Sequence, residues 1–319
     1  MKFIPLGKTG IQLSAVIMGT WQAGKSMWAG IEDDETERAM AAAFDAGITT
    51  FDTATVYGDG HSEKIVGKAL RQVRQQVVIA TKVFAHALAY EKVFKACHKS
   101  LRDLDTDYID LYQIHWPAGS FGSKEVPVEE TMRALSELKA QGKIRAVGVS
   151  NFSREQIIAA EAFGAVDSYQ PPYSLFWRHM EETAIAYCRE KGITVLAYSP
   201  MAQGILTGKF GKEPKFEKGD HRSKNILFQP EHYDRIQRAL AALQPIADRN
   251  NLTLGQLALA WVIAGKGTCA IAGARNADQA VQNAKAGTVT LPPEELAEMD
   301  RIGRTVTDHL GNDPVMWQW

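Results

Sequence analysis

The chain has 319 residues, 45% hydrophobic and 23% charged, the proportions of a soluble globular enzyme with one large core or two small ones. Its formal net charge of −1 implies no basic surface, which argues against nucleic acid as a partner. The opening MKFIPLGKTG lacks an apolar core of signal-peptide length, and the longest apolar stretch, Leu257–Ala264, is too short to span a bilayer. Cys97, Cys188 and Cys269 are widely spaced and odd in number, so neither a disulfide framework nor a zinc site follows and a reducing cytoplasm is the expected setting.

In chain order, KFIPLGKTGIQL reads as a hairpin turned at Lys8-Thr9-Gly10, placed to plug the floor of a barrel. Eight short apolar runs follow: Val16–Gly19, Thr49–Asp52, Val77–Thr81, Ile109–Ile114, Ala146–Ser150, Val166–Gln170, Thr194–Ser199 and Thr268–Ala272. Most lack strict alternation, as expected of strands covered on both faces. Helical patterns lie between them. Asp34–Ala46 opens with Asp34 as N-cap and Glu37 three residues on, and Ser153–Phe163 opens with the capping-box pair Ser153 and Gln156. Val128–Gln141 closes at Gly142 and Glu181–Lys191 at Gly192. Gly204–Lys209 (GILTGK) superficially resembles a phosphate-binding loop, but the spacing is one residue short and no Ser or Thr follows the lysine. Residues 208–229 are polar and irregular, a length typical of lids and binding loops. No linker or repeat divides the chain. Eight strand–helix units fit a single α/β domain over residues 1–319, a (β/α)8 barrel with an N-terminal hairpin and long loops at its C-terminal face. The doubly wound alternative is weaker, because no G-x-G-x-x-G follows the first strand.

The ends of three consecutive strands carry Asp52, Lys82 and His115, and Tyr57 lies five residues past Asp52. In such barrels these ends share one mouth. Each residue has an ordinary reading: Asp52 a turn or cap, Lys82 a surface lysine, His115 a packed ring, Tyr57 loop packing. Their joint placement on successive strand ends favours chemistry. An ammonium about 4 Å from a phenol stabilises the phenolate by about 4 kcal/mol at an effective dielectric of about 20. Asp52 paired with Lys82 cancels part of that field, leaving an expected drop in the Tyr57 pKa of about 1–2 units. His115 suits orientation of a carbonyl oxygen by hydrogen bonding, and an acid role for it stays open.

DTATVYGDGHSE (Asp52–Glu63), ATK (Ala80–Lys82), YIDLYQIHWP (Tyr108–Pro117) and GKIRAVGVSNF (Gly142–Phe152) resemble the aldo-keto reductase superfamily, over about Gly7 to Arg301. The nearer branch is the bacterial general reductases related to potassium-channel β subunits, to which GILTGK and GDHR point. The resemblance implies NADPH-dependent reduction of aldehydes or ketones to alcohols. It makes Tyr57 the general acid, Lys82 its tuning cation, Asp52 the partner of Lys82, and His115 the orienting group. It also implies a protein that is monomeric or a small homo-oligomer.

For the cofactor, Ser150, Asn151 and Gln170 offer donors and acceptors to a carboxamide. By the resemblance, the nicotinamide stacks on Tyr198, and Gly19, Thr20, Trp21 and Asp52 border it. Ser199, Pro200, Met201, Gly204 and Leu206 would run along the pyrophosphate, with Lys209 and Arg222 closing over it. Gly273 permits close approach beside a helix N-terminus, Arg275 offers a planar fork to the adenosine 2′-phosphate, and Gln279 and Asn283 share a helix face toward adenine. Gly273 and Ala274 depart from the charged or hydroxylated residues of the mammalian enzymes, so preference for NADPH over NADH rests largely on Arg275.

On the substrate side, Trp21 and Trp116 join Tyr57 and His115, with Trp28, Trp317 and Trp319 adding aromatic surface that suits a flat or apolar aldehyde. Trp317 and Trp319 could instead pack as a tail. Arg178 and His179 could meet an anionic or sugar-like substrate, or form a solvated loop. Two other functions compete. One is an NADPH-binding regulatory subunit with little turnover, which would need a membrane-protein partner that nothing basic or amphipathic here marks. The other is a metal-dependent hydrolase using Asp52 and His115, for which the paired-histidine spacing is missing.

Overall fold

The computed structural model describes residues 1–25, 30–216, 220–311 and 313. Two short antiparallel strands, β1 (Phe3–Pro5) and β2 (Gln12–Ser14), pair Phe3 with Ser14 and Pro5 with Gln12. Eight parallel strands then close a barrel. They are β3 (Val16–Gly19), β4 (Thr50–Asp52), β5 (Val78–Val83), β6 (Ile109–Ile114), β7 (Ile144–Ser150), β8 (Ser168–Gln170), β9 (Thr194–Tyr198) and β10 (Thr268–Gly273), with β10 returning to pair with β3. The helices of the outer layer are α1 (Asp33–Asp45), α2 (His61–Leu70), α3 (Tyr90–Asp103), α4 (Val128–Ala140), α5 (Arg154–Glu161), α6 (Ala186–Lys191), α7 (Pro230–Arg249), α8 (Leu254–Ala264) and α9 (Ala277–Ala286), followed by α10 (Pro293–Thr307). All eight apolar runs read from the sequence are barrel strands, because continuous Val, Ile, Leu and Ala stretches suit a sheet buried on both faces.

The hairpin supplies the floor. Leu6, Ile11 and Leu13 pack with Ile17, Val78, Leu111, Ala146, Leu196 and Cys269 in a cluster inside the barrel. The Thr194 hydroxyl donates to Pro5 O at 2.7 Å and accepts from Gly7 N at 2.8 Å, tying the hairpin to the start of β9. Burial of this apolar floor contributes about 25 cal/mol for each Å² removed from water.

Two local readings differ in detail. Helix α1 starts at Asp33, so Asp34 is a first-turn residue and not the cap; Glu32 takes the cap position without a side-chain bond. Asp33, Asp34 and Glu35 instead complement the positive end of the helix dipole. The Ser153–Gln156 capping box is present. The segment read as one helix from Glu181 begins as a π-turn, Glu181–Ile185, before α6, and ends at Gly192 with φ +75°. No described helix is long and apolar enough to cross a membrane.

Candidate active site

Side-chain alternation along the strands builds the mouth. Ile17, Val78, Ala80, Leu111, Ala146, Leu196, Cys269 and Ile271 point inward and form the apolar lower layers. The next residues of the same parity are Gly19, Lys82, Gln113, Gly148, Tyr198 and Gly273, and the register sets Asp52 beside Gly19, Lys82 beside Gln113, and Ser150 beside Gln170. The barrel interior therefore changes from apolar to polar at its C-terminal end.

There the Lys82 ammonium donates to Asp52 Oδ1 at 2.7 Å and to Thr53 O at 2.7 Å, with Lys82 wholly buried. The other Asp52 oxygen accepts from Gln170 Nε2 at 2.9 Å and from Gln113 Nε2 at 3.5 Å. Tyr57 sits on the turn between β4 and α2. Its ring centroid is 5.2 Å from the Lys82 ammonium, and its ring meets His115 edge-on at 5.9 Å and Trp21 at 6.3 Å. The turn is seated by glycine: a Cβ on Gly24 would lie 2.5 Å from the Tyr57 carbonyl carbon, so the loop after β3 can abut the Tyr57 turn only without a side chain there.

The electrostatics correct one expectation. The Tyr57 phenol is pushed well above its ordinary value by burial, with the Asp52 carboxylate acting in the same direction. The expected drop already set the Asp52 carboxylate against the ammonium field, and the structure does pair the two, with Thr53 O as a further acceptor. What it left out was desolvation of the buried phenol, which disfavours the phenolate and outweighs the cation. Burial also lowers the Lys82 pKa, against the opposing pull of Asp52. The His115 imidazole is held well below its usual range by burial and by the Lys82 charge, and its buried Nδ1 has no hydrogen-bond partner.

Next to this cluster the side chains assigned to a carboxamide bond one another. Ser150 Oγ donates to Gln170 O, Asn151 Nδ2 reaches His115 O at 3.0 Å and Ser150 Oγ at 3.1 Å, and Tyr198 Oη donates to Asn151 Oδ1 at 2.9 Å. Tyr198 is half-buried, and burial raises its phenol pKa with Tyr57 as a near neighbour. After β9 the backbone is left-handed at Ser199, Ala202, Gln203 and Gly204, a pattern that forms concave anion-binding turns. Pro200 and Leu206 are buried, so they could serve such a site only through their backbone, whereas Met201 is half-buried.

A cationic cluster borders that loop. Burial lowers the Lys209 pKa, and the Arg222 and Arg275 charges lower it further against the opposing Asp220 carboxylate, so each arginine lies near Lys209. Asp220 pairs with Arg222 at 2.5 Å. Gln279 Oε1 accepts from Arg275 N at 2.9 Å, and Asn283 Nδ2 donates to Gly273 O at 3.1 Å, so both side chains hold the turn into α9. A Cβ on Gly273 would meet the Gln22 amide at 2.8 Å. Like charges gathered at a left-handed loop and a helix start fit a phosphate-bearing ligand.

On the opposite side Phe84 stacks on Phe121 at 5.4 Å and on His86 at 5.6 Å, and meets His115 edge-on at 5.6 Å, while Trp116 meets Phe121 at 5.1 Å. Trp28, Trp317 and Trp319 lie outside the described residues. Arg178 is committed elsewhere, bonded to Glu181 at 2.7 Å and Asp300 at 2.9 Å, and His179 is exposed, so the anionic-substrate reading of this pair loses its cation. Sequence reasoning missed Gln113, Gln22, Phe84 and Phe121. Gln113 had a signal: a glutamine of the same inward parity as Ile109 and Leu111, near the C-terminal end of its strand. Among the described residues no group of three or more His, Cys, Asp or Glu could hold a metal ion.

The aldo/keto reductase family model matches residues 15–304. Aldo-keto reductase YhdN of Bacillus subtilis is 38% identical over 98% of this chain and 96% of its own length. The NADH-specific methylglyoxal reductase of Escherichia coli is 35% identical, covering 96% and 99%. Among solved structures, the glycerol dehydrogenase AKR11B4 of Gluconobacter oxydans superposes with a TM-score of 0.89 at 33% identity, covering 99% of both chains. An aldo-keto reductase of Klebsiella pneumoniae in complex with NADPH does so at 0.77 and 31%, covering 100% of this chain and 99% of that one. With an eight-stranded barrel closed below by a hairpin and a family match across nearly its whole length, the chain belongs to the aldo/keto reductase family.

Proposed function

We propose that this chain, acting as a single barrel domain, is an NADP(H)-dependent reductase of aldehydes or ketones, with Tyr57 as general acid. The observation that carries the reading is the gathering of Tyr57, the Lys82–Asp52 pair and His115 at one mouth, with the Tyr57 ring close to both the ammonium and the imidazole. Bound nicotinamide would supply the hydride to the carbonyl carbon. Tyr57 Oη, protonated at neutral pH, would give its proton to the developing alkoxide, and the buried Lys82 ammonium favours the phenolate left behind. His115 is neutral, and with no acceptor at Nδ1 to hold a proton there, Nε2 is the nitrogen that can donate to the substrate oxygen. Asp52 holds Lys82 in place, and the two glutamines on Asp52 hold it in turn.

For the cofactor, the cluster of Lys209, Arg222 and Arg275 would take the phosphates, with Arg275 at the adenosine 2′-phosphate, and Tyr198, Asn151, Ser150 and Gln170 would border the nicotinamide. The Klebsiella relative with NADPH supports this choice, and the NADH-specific relative makes it a question for experiment. The aromatic group around Phe84 suits a flat, apolar aldehyde.

The test follows NADPH absorbance with an aromatic aldehyde such as 4-nitrobenzaldehyde. Steady oxidation is expected, and Tyr57→Phe should lower kcat by about 10²–10⁴-fold while NADPH still binds. Near-normal rates in that variant would overturn the assigned acid. Tight NADPH binding by the unmodified protein without turnover would point to a nucleotide-sensing subunit.

A further inference from the structure

We propose that Glu63 is a positioning residue: its carboxyl, bonded to Thr81, clamps the first turn of α2 to the tip of β5 and so fixes where Tyr57 stands relative to Lys82. This rests on the reading of Tyr57 and Lys82 given above. The turn that carries Tyr57 runs directly into α2, with His61 N bonded to Gly58 O at 3.1 Å and Ser62 N to Tyr57 O at 3.2 Å. Glu63 is the third residue of that helix, and its Oε1 accepts the Thr81 hydroxyl at 2.6 Å, with both residues wholly buried. Thr81 immediately precedes Lys82. Alternation along β5 sends Lys82 into the barrel mouth and Thr81 to the helix layer, so one strand tip holds the cation on one face and the clamp on the other. A second tie runs in parallel: Thr55, on the Tyr57 turn, bonds Lys82 O at 3.2 Å and Ser100 Oγ at 3.0 Å.

Placing a carboxyl here is costly. Burial raises the carboxyl pKa against the Thr81 and Ser100 hydroxyls, which favour the charged form, and Oε2 has no partner at good hydrogen-bond geometry. The charged or titratable groups that face it are Lys82 from β5, Lys99, Asp103 and Cys97 from α3, and Tyr112 from β6. An apolar side chain would pack between α2 and β5 without that penalty. What it could not supply is a directional bond to Thr81. The Ser62 hydroxyl, bonded to Thr20 and Thr53, would still tie the first turn of α2 to the loops after β3 and β4, but its direct bond to β5 would be gone, loosening the seat of Tyr57 against Lys82. Displacements of about 1 Å at a reacting group cost up to roughly 100-fold in rate.

The experiment measures kcat with 4-nitrobenzaldehyde and, separately, NADPH affinity by fluorescence. Thr81→Val and Glu63→Leu should each lower kcat by roughly 10–100-fold with NADPH affinity unchanged. Glu63→Gln, which keeps an acceptor for the Thr81 hydroxyl, should restore most of the rate lost in Glu63→Leu. The double variant Thr81→Val/Glu63→Leu should be no slower than the worse single one, since both remove the same bond. Should Glu63→Leu fail to fold, Thr81→Val alone carries the test, because it trades a hydroxyl for a methyl in a β-strand. Undiminished kcat in Thr81→Val, a Gln variant as slow as the Leu variant, or additive losses would each overturn the clamp. An active Tyr57→Phe enzyme would sink the assignment of the acid instead; an inactive one beside a fully active Thr81→Val would sink the clamp alone.

Discussion

The Lys82 ammonium lies 2.7 Å from Asp52 Oδ1, and neither side chain is more than 5% exposed. A pair buried this deeply holds its geometry only while both members are present. Replacing Asp52 by Asn leaves an uncompensated ammonium beneath the mouth, because Thr53 O is a neutral acceptor. Asp52→Asn should therefore destabilise the fold by about 3–5 kcal/mol, read as a lower urea midpoint at constant m-value. A loss under about 1 kcal/mol would mean that Thr53 O and the amides suffice to hold the cation.

His115 gives a pH dependence with a definite sign. Burial and the Lys82 charge keep the folded imidazole neutral well below its ordinary range, whereas the unfolded chain protonates it near pH 6.5. The unfolded state thus binds the additional proton. The stability that this group contributes is intact above about pH 6.5 and is lost on acidification, by up to about 1.4 kcal/mol per pH unit. Unfolding free energies of the parent and His115→Asn should converge as the pH falls from about 7 to 5. Parallel curves would show that the ring is as free to protonate when folded as when unfolded.

Arg275 should sort the two nicotinamide cofactors. If its guanidinium meets the 2′-phosphate, Arg275→Ala removes charge-assisted bonds that NADH never makes. NADPH affinity should fall by about 10–100-fold, and NADH affinity should change little. Fluorescence titration with both cofactors decides it: equal losses would remove Arg275 from phosphate recognition.

Phe121 bears on substrate choice. It is 41% exposed, and it stacks on Phe84 and meets Trp116 edge-on. Phe121→Ala should raise KM for aromatic aldehydes by about 2–10-fold, the worth of one aromatic pair, and leave small aliphatic aldehydes nearly unchanged. A uniform change across both classes would place Phe121 outside the pocket.

Much of this could be read along the chain. The eight apolar runs became the eight barrel strands, and the residues at their ends, Asp52, Lys82 and His115, do meet Tyr57 at one mouth. Strand alternation, a property of short sequence windows, sets which side chains face inward, and closure of a parallel sheet brings the strand ends to one mouth. The Ser153 cap was legible for the same reason. The cap of α1 was misplaced by two positions, at Asp34 and not Glu32, since four adjacent acidic residues, Glu32 to Glu35, offer the helix similar starts.

What the sequence determined by itself was which side chains share the mouth, because a period of two and eight crossovers leave few ways to arrange them. Only the tertiary structure decided how those side chains act on one another. It turned the expected drop in the Tyr57 pKa into a rise, bound Arg178 to Glu181 and Asp300, and set Glu63 against Thr81. Fields and desolvation depend on distances and burial among residues remote in the chain, and those are fixed only when the barrel closes.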